Sequence, residues 1–292
     1  MGFTWGPGVT IDNAGLGAGP HIGPRVIMIP ARHASTRFPG KPLALLRGAR
    51  GTARTLIERT WRTAMAVPGI DHVVVVTDDD RIATAARAFG ADVAMTPDSC
   101  RNGTERCAAA LDTMAAALGT SPALVINLQG DAPLTPPGVI PALIARIAAD
   151  PALAMATPAM PCTPGVLAAL VADQDAGRVG GTTVVFDAGH RALYFSKRII
   201  PHVPADLLAE RAAAVHLHMG VYAYRPDALR AYAAAPASML EDLEGLEQLR
   251  FCDMGVPIGI ALCPAPPWDA IECNNPGDIA LIERVLAQAG VD

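Results

Sequence analysis

Three cations, Arg32, Arg37 and Lys41, fall within ten residues of one another in the segment Pro30-Ala31-Arg32-His33-Ala34-Ser35-Thr36-Arg37-Phe38-Pro39-Gly40-Lys41-Pro42, beside hydroxyls and backbone donors. That composition suits a triphosphate that becomes more negative as pyrophosphate leaves, because charge-assisted hydrogen bonds strengthen with the anion. The spacing departs from G-x-x-x-x-G-K-[ST], so this is not a Walker loop. A solvated, proline-punctuated loop has the same composition, and the segment alone does not choose between the two. A second segment, Asn127-Leu128-Gln129-Gly130-Asp131, sets a carboxylate just beyond a buried apolar run. Close to phosphates such an Asp is a natural Mg²⁺ ligand, since that ion takes one or two carboxylates and fills its other positions with phosphate oxygens and water. The plainer role, an Asp capping the next helix, is made awkward by Pro133, Pro136 and Pro137. A third segment, Ser99-Cys100-Arg101-Asn102-Gly103-Thr104-Glu105-Arg106, combines a Gly that admits close backbone approach with a Thr and a Glu placed for a capping box. His33 and His218 stand without a carboxylate neighbour in sequence to orient them, so neither is assigned as a base.

These segments need elements to hold them. From Arg25 onward, short apolar runs alternate with longer Ala-rich amphipathic stretches, which implies a parallel sheet with helices on both faces. Strands are expected at 26–30, 73–77, 93–95 and 124–128, with helices at 56–66, 82–89 and 106–117. The basic segment then lies at the carboxyl end of the opening strand, where open α/β sheets bind ligands. After about Pro158 the pattern shifts. Strands at 182–186, 192–195 and 218–224 and a helix at 241–250 suggest a lobe with antiparallel pairing, which returns through a strand at 258–262 and closes with a helix over 276–289. Residues 1–24, rich in Gly and Pro without apolar periodicity, read as a flexible extension.

The composition excludes several classes. The chain has 292 residues and 51% hydrophobic side chains, enough for a sizeable core. Its net charge of −5 lacks the basic stripe that nucleic acid demands. No run of 18 apolar residues and no signal-peptide pattern is present, so a cytoplasmic protein without a membrane partner is expected. The six cysteines form no C-x-x-C pair, and they are expected to be reduced and inert. Lys41 and Lys197 are the only lysines, in a chain whose Arg, Ala and Pro bias is that of a GC-rich genome.

Read together and in order, the segments resemble the 3-deoxy-manno-octulosonate cytidylyltransferase (CMP-KDO synthetase) family. The matching pieces are residues 29–42, Val76-Thr77-Asp78-Asp79, Gly103-Thr104-Glu105-Arg106, Asn127 through Asp131, Leu193-Tyr194-Phe195-Ser196, residues 218–225 and Leu246-Glu247-Gln248-Leu249-Arg250. The resemblance implies a Rossmann-like (GT-A-like) α/β nucleotidyltransferase domain over residues 25–292, with a mixed sheet and a smaller acceptor-binding and dimerisation lobe at 157–262. It implies that Arg32, Arg37 and Lys41 hold the triphosphate with Pro30 and Ala31 alongside. Thr77, Asp78, Gly103 and Arg106 would surround the cytidine, and Asp131 would bind Mg²⁺. Gln129 would face the acceptor, with Tyr194, His218, Glu247 and Gln248 building its pocket. Family members are typically homodimers.

The chain also departs from the family. Q-G-D-E-P becomes Gln129-Gly130-Asp131-Ala132-Pro133, and the Asp of V-D-T-P-E-D, a second Mg²⁺ ligand, falls at Asn274 by spacing, with Glu272 as the alternative. Y-F-S-R becomes Tyr194-Phe195-Ser196-Lys197, so Lys197 is expected to meet the acceptor in place of Arg, as a point charge in place of a planar fork. These changes in the acceptor half favour a small, strongly anionic acceptor such as a phosphonate, as in the phosphonoformate cytidylyltransferases that resemble this family. The sugar acid 3-deoxy-manno-octulosonate is the alternative. Further alternatives are a CTP-binding protein without catalysis and a transferase that uses UTP or dTTP.

Overall fold

The computed structural model describes residues 23–35, 37–265, 273 and 275–292. Apart from Gly23 and Pro24, the expected N-terminal extension lies outside these residues, as do Thr36 and both candidate second metal ligands, Glu272 and Asn274. The chain divides into one compact unit formed by its start through Pro141 together with Pro266–Asp292, and another over Ala142–Ala265.

The first unit opens with β1 (Arg25–Ala31), a hairpin of β2 (Leu45–Arg47) and β3 (Ala53–Thr55), and α1 (Leu56–Met65). It continues through β4 (His72–Thr77), α2 (Asp80–Ala88), β5 (Asp92–Met95), α3 (Gly103–Leu118) and β6 (Leu124–Leu128). The strands lie in the order β5-β4-β1-β6, all parallel. Val26, Ile27, Met28 and Ile29 are fully buried, as a parallel strand covered on both faces requires. Register sets Ala31 beside Thr77 and Met28 beside Asn127, so the loops after β1, β4 and β6 leave the sheet at one edge. Helix starts are set by side-chain caps: Thr55 accepts from Glu58 N, Asp79 from Arg81 N and Ile82 N, and Asn102 from Glu105 N. The cap of α3 is therefore Asn102 and not Thr104, which is wholly buried in the first turn. Glu105 instead reaches back to accept the Arg101 N–H.

The second unit is entered through α4 (Val139–Ala149) and holds β7 (Met155–Pro161), α5 (Pro164–Asp175), β8 (Thr182–Phe186), β9 (Ala192–Ser196), β10 (His216–His218) and β11 (Val221–Tyr224). After these come α6 (Pro226–Ala234), α7 (Met239–Glu244), α8 (Leu249–Asp253) and β12 (Ile258–Leu262), and α9 (Asp278–Gln288) follows in the first unit. Within this unit β7 is central: β12 runs parallel to it, while β10 and β11 are antiparallel to it. β8 and β9 extend the antiparallel side.

Two expectations about elements fail here for identifiable reasons. The single strand expected at 218–224 is two, because the register against β7 slips by two residues at Met219-Gly220. The Thr157 hydroxyl fills the gap, donating to Val221 O at 2.9 Å. The single helix expected at 241–250 is also two, because Gly245 turns left-handed (φ 60°) and ends α7. No helix among the described residues is long and apolar enough to cross a membrane. All six cysteines are free, and burial pushes the thiols of Cys162, Cys252, Cys263 and Cys273 up to about 11.

Candidate functional site

The loop after β1 closes on itself, with Gly40 N donating to His33 O at 3.0 Å. Gly40 takes a left-handed conformation (φ 71°) and caps a short 3-10 turn, Lys41–Leu43, whose first residue is the loop's lysine. Lys41 Nζ meets Asp131 Oδ2 at 2.5 Å, across 90 residues of sequence, with the two side chains 15% and 25% exposed. The basic loop and the acidic end of β6 thus converge. Arg32 and Arg37 are exposed in the same loop. The loops are also joined through backbone, since Gly130 N donates to Pro30 O at 3.3 Å. A Cβ on Gly130 would lie 2.8 Å from that same oxygen, so the position admits only Gly without movement of backbone.

The residues expected around a base form a second group in this unit. Arg106, only 3% exposed, donates through Nη2 to Asp78 Oδ2 at 3.0 Å and through Nη1 to Thr96 Oγ1 at 2.6 Å. Thr77 is wholly buried, and its hydroxyl accepts from Asp79 N at 3.2 Å. Gly103 opens α3 against the β6 edge, where a Cβ would lie 2.6 Å from Gln129 Nε2 and 3.2 Å from Asn127 Nδ2. Gln129 Nε2 donates to Asn127 Oδ1 at 3.1 Å. Asn127 Nδ2, buried at the end of β6, has no acceptor among the described residues. Such an orphan donor is costly and marks a place where a ligand or water completes the bonding.

As a magnesium site, the first unit offers one carboxylate, Asp131, beside the basic loop, and no cluster of three or more His, Cys, Asp or Glu among the described residues. A single hard oxygen donor next to a phosphate-binding composition fits an ion that keeps several waters and takes phosphate oxygens. Asn274 and Glu272 lie outside the described residues, so Asp131 is the donor that the fit rests on.

The second unit gathers its own polar group. Ser196 Oγ donates to Glu244 Oε1 at 2.8 Å and Lys197 N to Glu244 Oε2 at 2.9 Å, which ties the end of β9 to α7. Burial, and then the neighbouring Glu244, push the Tyr194 phenol above its ordinary value. Lys197 Nζ lies 2.8 Å from where Gly245 would carry a Cβ, so the left-handed Gly makes room for the ammonium. His218 packs edge-on to Phe195 and beside Tyr222, and burial pushes it down to about 3, which leaves it neutral at neutral pH. Its Nε2 is 2.8 Å from Thr157 Oγ1. Because the Thr157 proton goes to Val221 O, the imidazole donates through Nε2 and keeps Nδ1 as an acceptor. Tyr222 OH donates to Gln248 Oε1 at 3.2 Å, and Gln248, 1% exposed, has its Nε2 without a partner among the described residues. Glu247 is half-buried beside it.

Beneath this group lies a bidentate pair. Arg250 donates to Glu241 at 2.6 and 2.8 Å, stacks 3.9 Å over the Tyr232 ring, and is 2% exposed. Thr96, Thr157 and Glu244 carry contacts in these groups that no spacing rule exposes. Each is a lone polar residue whose partner is distant in sequence.

The cytidylyltransferase family model matches residues 26–258. The 3-deoxy-manno-octulosonate cytidylyltransferase of Maricaulis maris is 44% identical over 90% of this chain and 97% of its own length. That of Myxococcus xanthus is 37% identical over 91% and 97%, and the mitochondrial enzyme of Arabidopsis thaliana 32% over 94% and 90%. Among solved structures, a CMP:2-keto-3-deoxy-manno-octonic acid synthetase complexed with CTP matches with TM-score 0.75 and 32% identity over 91% of this chain and 99% of that one. The 4-diphosphocytidyl-2C-methyl-D-erythritol synthase of Anaerococcus prevotii, 13% identical with TM-score 0.54 over 90% and 98% of the two chains, shares the fold. The chain belongs to the 3-deoxy-manno-octulosonate cytidylyltransferase family, and it is a CTP-dependent cytidylyltransferase with the mixed α/β nucleotidyltransferase fold.

Proposed function

We propose that this protein transfers the CMP half of CTP to 3-deoxy-manno-octulosonate and releases pyrophosphate. The observation that carries this reading is the convergence of Lys41 and Asp131 in a chain 44% identical to a 3-deoxy-manno-octulosonate cytidylyltransferase over almost its whole length. The phosphonate acceptor that Lys197 and the altered metal segment suggest has no counterpart among these relatives, which favour the sugar acid.

In this reading an acceptor hydroxyl oxygen attacks the α-phosphorus of CTP. The new P–O bond forms as the bond to the β-phosphate breaks, and the hydroxyl proton leaves to solvent. Arg32, Arg37 and Lys41 hold the triphosphate and the pyrophosphate that departs, so their charge is best matched to the transition state. Asp131 holds Mg²⁺, which when bound neutralises phosphate charge. Asp78 and Arg106 fix the pyrimidine with Thr77 and Gly103, while Pro30 and Ala31 line the nucleotide. Gln129, Tyr194, Lys197, His218, Glu247 and Gln248 bind the acceptor. Neutral His218, with Nδ1 as acceptor and Nε2 committed to Thr157, receives an acceptor hydroxyl and does not serve as a base. Within the domain over residues 25–292, the lobe at 157–262 carries most of these acceptor contacts. The exposed Leu193, Met239 and Leu243 of that lobe are the apolar surface that a second copy covers in a homodimer.

The test is pyrophosphate release with CTP and Mg²⁺ against octulosonate, sialic acid and phosphonoformate. Turnover with octulosonate is expected. Turnover with phosphonoformate alone would reject the sugar acid, and CTP binding without release under every acceptor would reject catalysis.

A further inference from the structure

The Asp131 carboxylate sits on a stretch without regular structure, yet the backbone around it is tied to other segments at four points. Gly130 N donates to Pro30 O, and Cys273 N donates to Asp131 O at 3.1 Å. The other two ties come from one helix. Thr60 Oγ1 lies 3.1 Å from Gly130 O, and Thr63 Oγ1 lies 3.2 Å from Pro133 O. These threonines are three residues apart and so share one face of α1. A buried helical Thr ordinarily spends its proton on the carbonyl four residues back, and Thr60 is also within 3.2 Å of Leu56 O. Its proton is shared, and Gly130 O is the partner that lies outside the helix.

At its other end α1 holds the opposite member of the pair. Leu56 N donates at 2.8 Å to Ala44 O, the residue that closes the 3-10 turn beginning with Lys41, and Ala44 N donates back to Lys41 O at 3.0 Å. One helix therefore grips the lysine turn by its first residue and the Asp131 loop by two hydroxyls about one and two turns further on. Because a helix keeps its rise per residue rigidly, the distance between the two grips does not drift with loop motion.

We propose that Thr60 and Thr63 are positioning residues: α1 acts as a strut that holds the backbone of the Asp131 loop beside the Lys41 turn, so that one metal-bound triphosphate meets both side chains. This rests on the reading of Asp131 as the metal ligand and Lys41 as a phosphate ligand. A purely structural role for the two hydroxyls would change stability without changing cation affinity.

The experiment measures Mn²⁺ binding by electron paramagnetic resonance in the presence of CTP, alongside kcat, KM for CTP and thermal midpoint, for Thr60→Val, Thr60→Ser, Thr63→Val and Asp131→Asn. Removing one net hydrogen bond from the Asp131 loop is expected to weaken Mn²⁺ binding and lower kcat by about tenfold in each Val variant. KM for CTP should move less than about threefold, since the cation contacts to the phosphates remain. Thr60→Ser should restore Mn²⁺ binding, because it keeps the hydroxyl. If Thr60→Val fails to fold, the half-buried Thr63 carries the test. Wild-type Mn²⁺ affinity in the Val variants, or a Ser variant as weak as Val, overturns the strut while Asp131→Asn still abolishes cation binding. Undiminished Mn²⁺ binding in Asp131→Asn instead overturns the metal reading and the strut with it.

Discussion

Lys41 and Asp131 neutralise one another in the free protein, so the ammonium occupies the space around the carboxylate that the proposed divalent cation needs. Substituting Lys41→Met leaves that carboxylate unpaired, with two consequences of opposite sign. Without nucleotide, Mn²⁺ should bind several-fold more tightly, because no internal cation competes for Asp131. With CTP, the loss of the proposed phosphate donor should lower kcat by about 100-fold. Paired measurements by electron paramagnetic resonance and steady-state kinetics check both, and an Mn²⁺ affinity that falls without nucleotide contradicts the competition. In the proposed base pocket, Arg106 is buried with Asp78 and Thr96 as its partners. Truncation to Ala strands a half-buried carboxylate, which costs about 3 kcal/mol. A rise in KM for CTP should accompany this loss, and an unchanged KM would remove Arg106 from base recognition.

The elements place these residues through a few close approaches. Gly103 begins α3 where a Cβ would press on the Gln129 amide, a flexible end that can move away, so Gly103→Ala should fold. The helix even gains from Ala over Gly. The thermal midpoint of this variant should therefore not fall, while kcat/KM drops by about tenfold because Gln129 is pushed off Asn127. A lowered midpoint with unchanged kcat/KM would mean that the close approach serves packing alone. In the other unit, Gly245 and the Met219-Gly220 slip do similar work: each interrupts an element that periodicity draws as continuous, and each brings a polar side chain, Lys197 or His218, into a group.

Across the whole molecule, the ion pair between Glu241 and Arg250 is the most deeply buried charge among these groups, at 7% and 2% exposure. Burial alone would raise the Glu241 carboxyl, but the hydrogen bonds from Arg250 and Tyr232 outweigh it and hold it below its ordinary value. A depressed folded-state value adds stability that is present above the unfolded value, about 4.3, and is lost as pH falls through the folded one. Chemical denaturation should therefore show stability declining below about pH 4, and Glu241→Gln should lose about 3 kcal/mol at pH 7 by leaving Arg250 uncompensated. Equal stability of the two proteins at pH 7 would deny the pair that role. The amino-acid order was enough to reveal the parallel strands of the first unit, the basic loop and the carboxylate beyond β6, because apolar runs and local motifs report on neighbours in the chain. α4, α5, α6 and β7 were not legible, since Ala and Pro bias blurs helix periodicity and β7, buried on both faces, shows no alternation. The convergence of Lys41 and Asp131 was legible from their places after β1 and β6, whereas the tautomer of His218 and the grip of Thr60 on Gly130 arise only when packing brings distant segments together. No local pattern records them, because each depends on where two chain segments end up and not on what stands beside them in sequence.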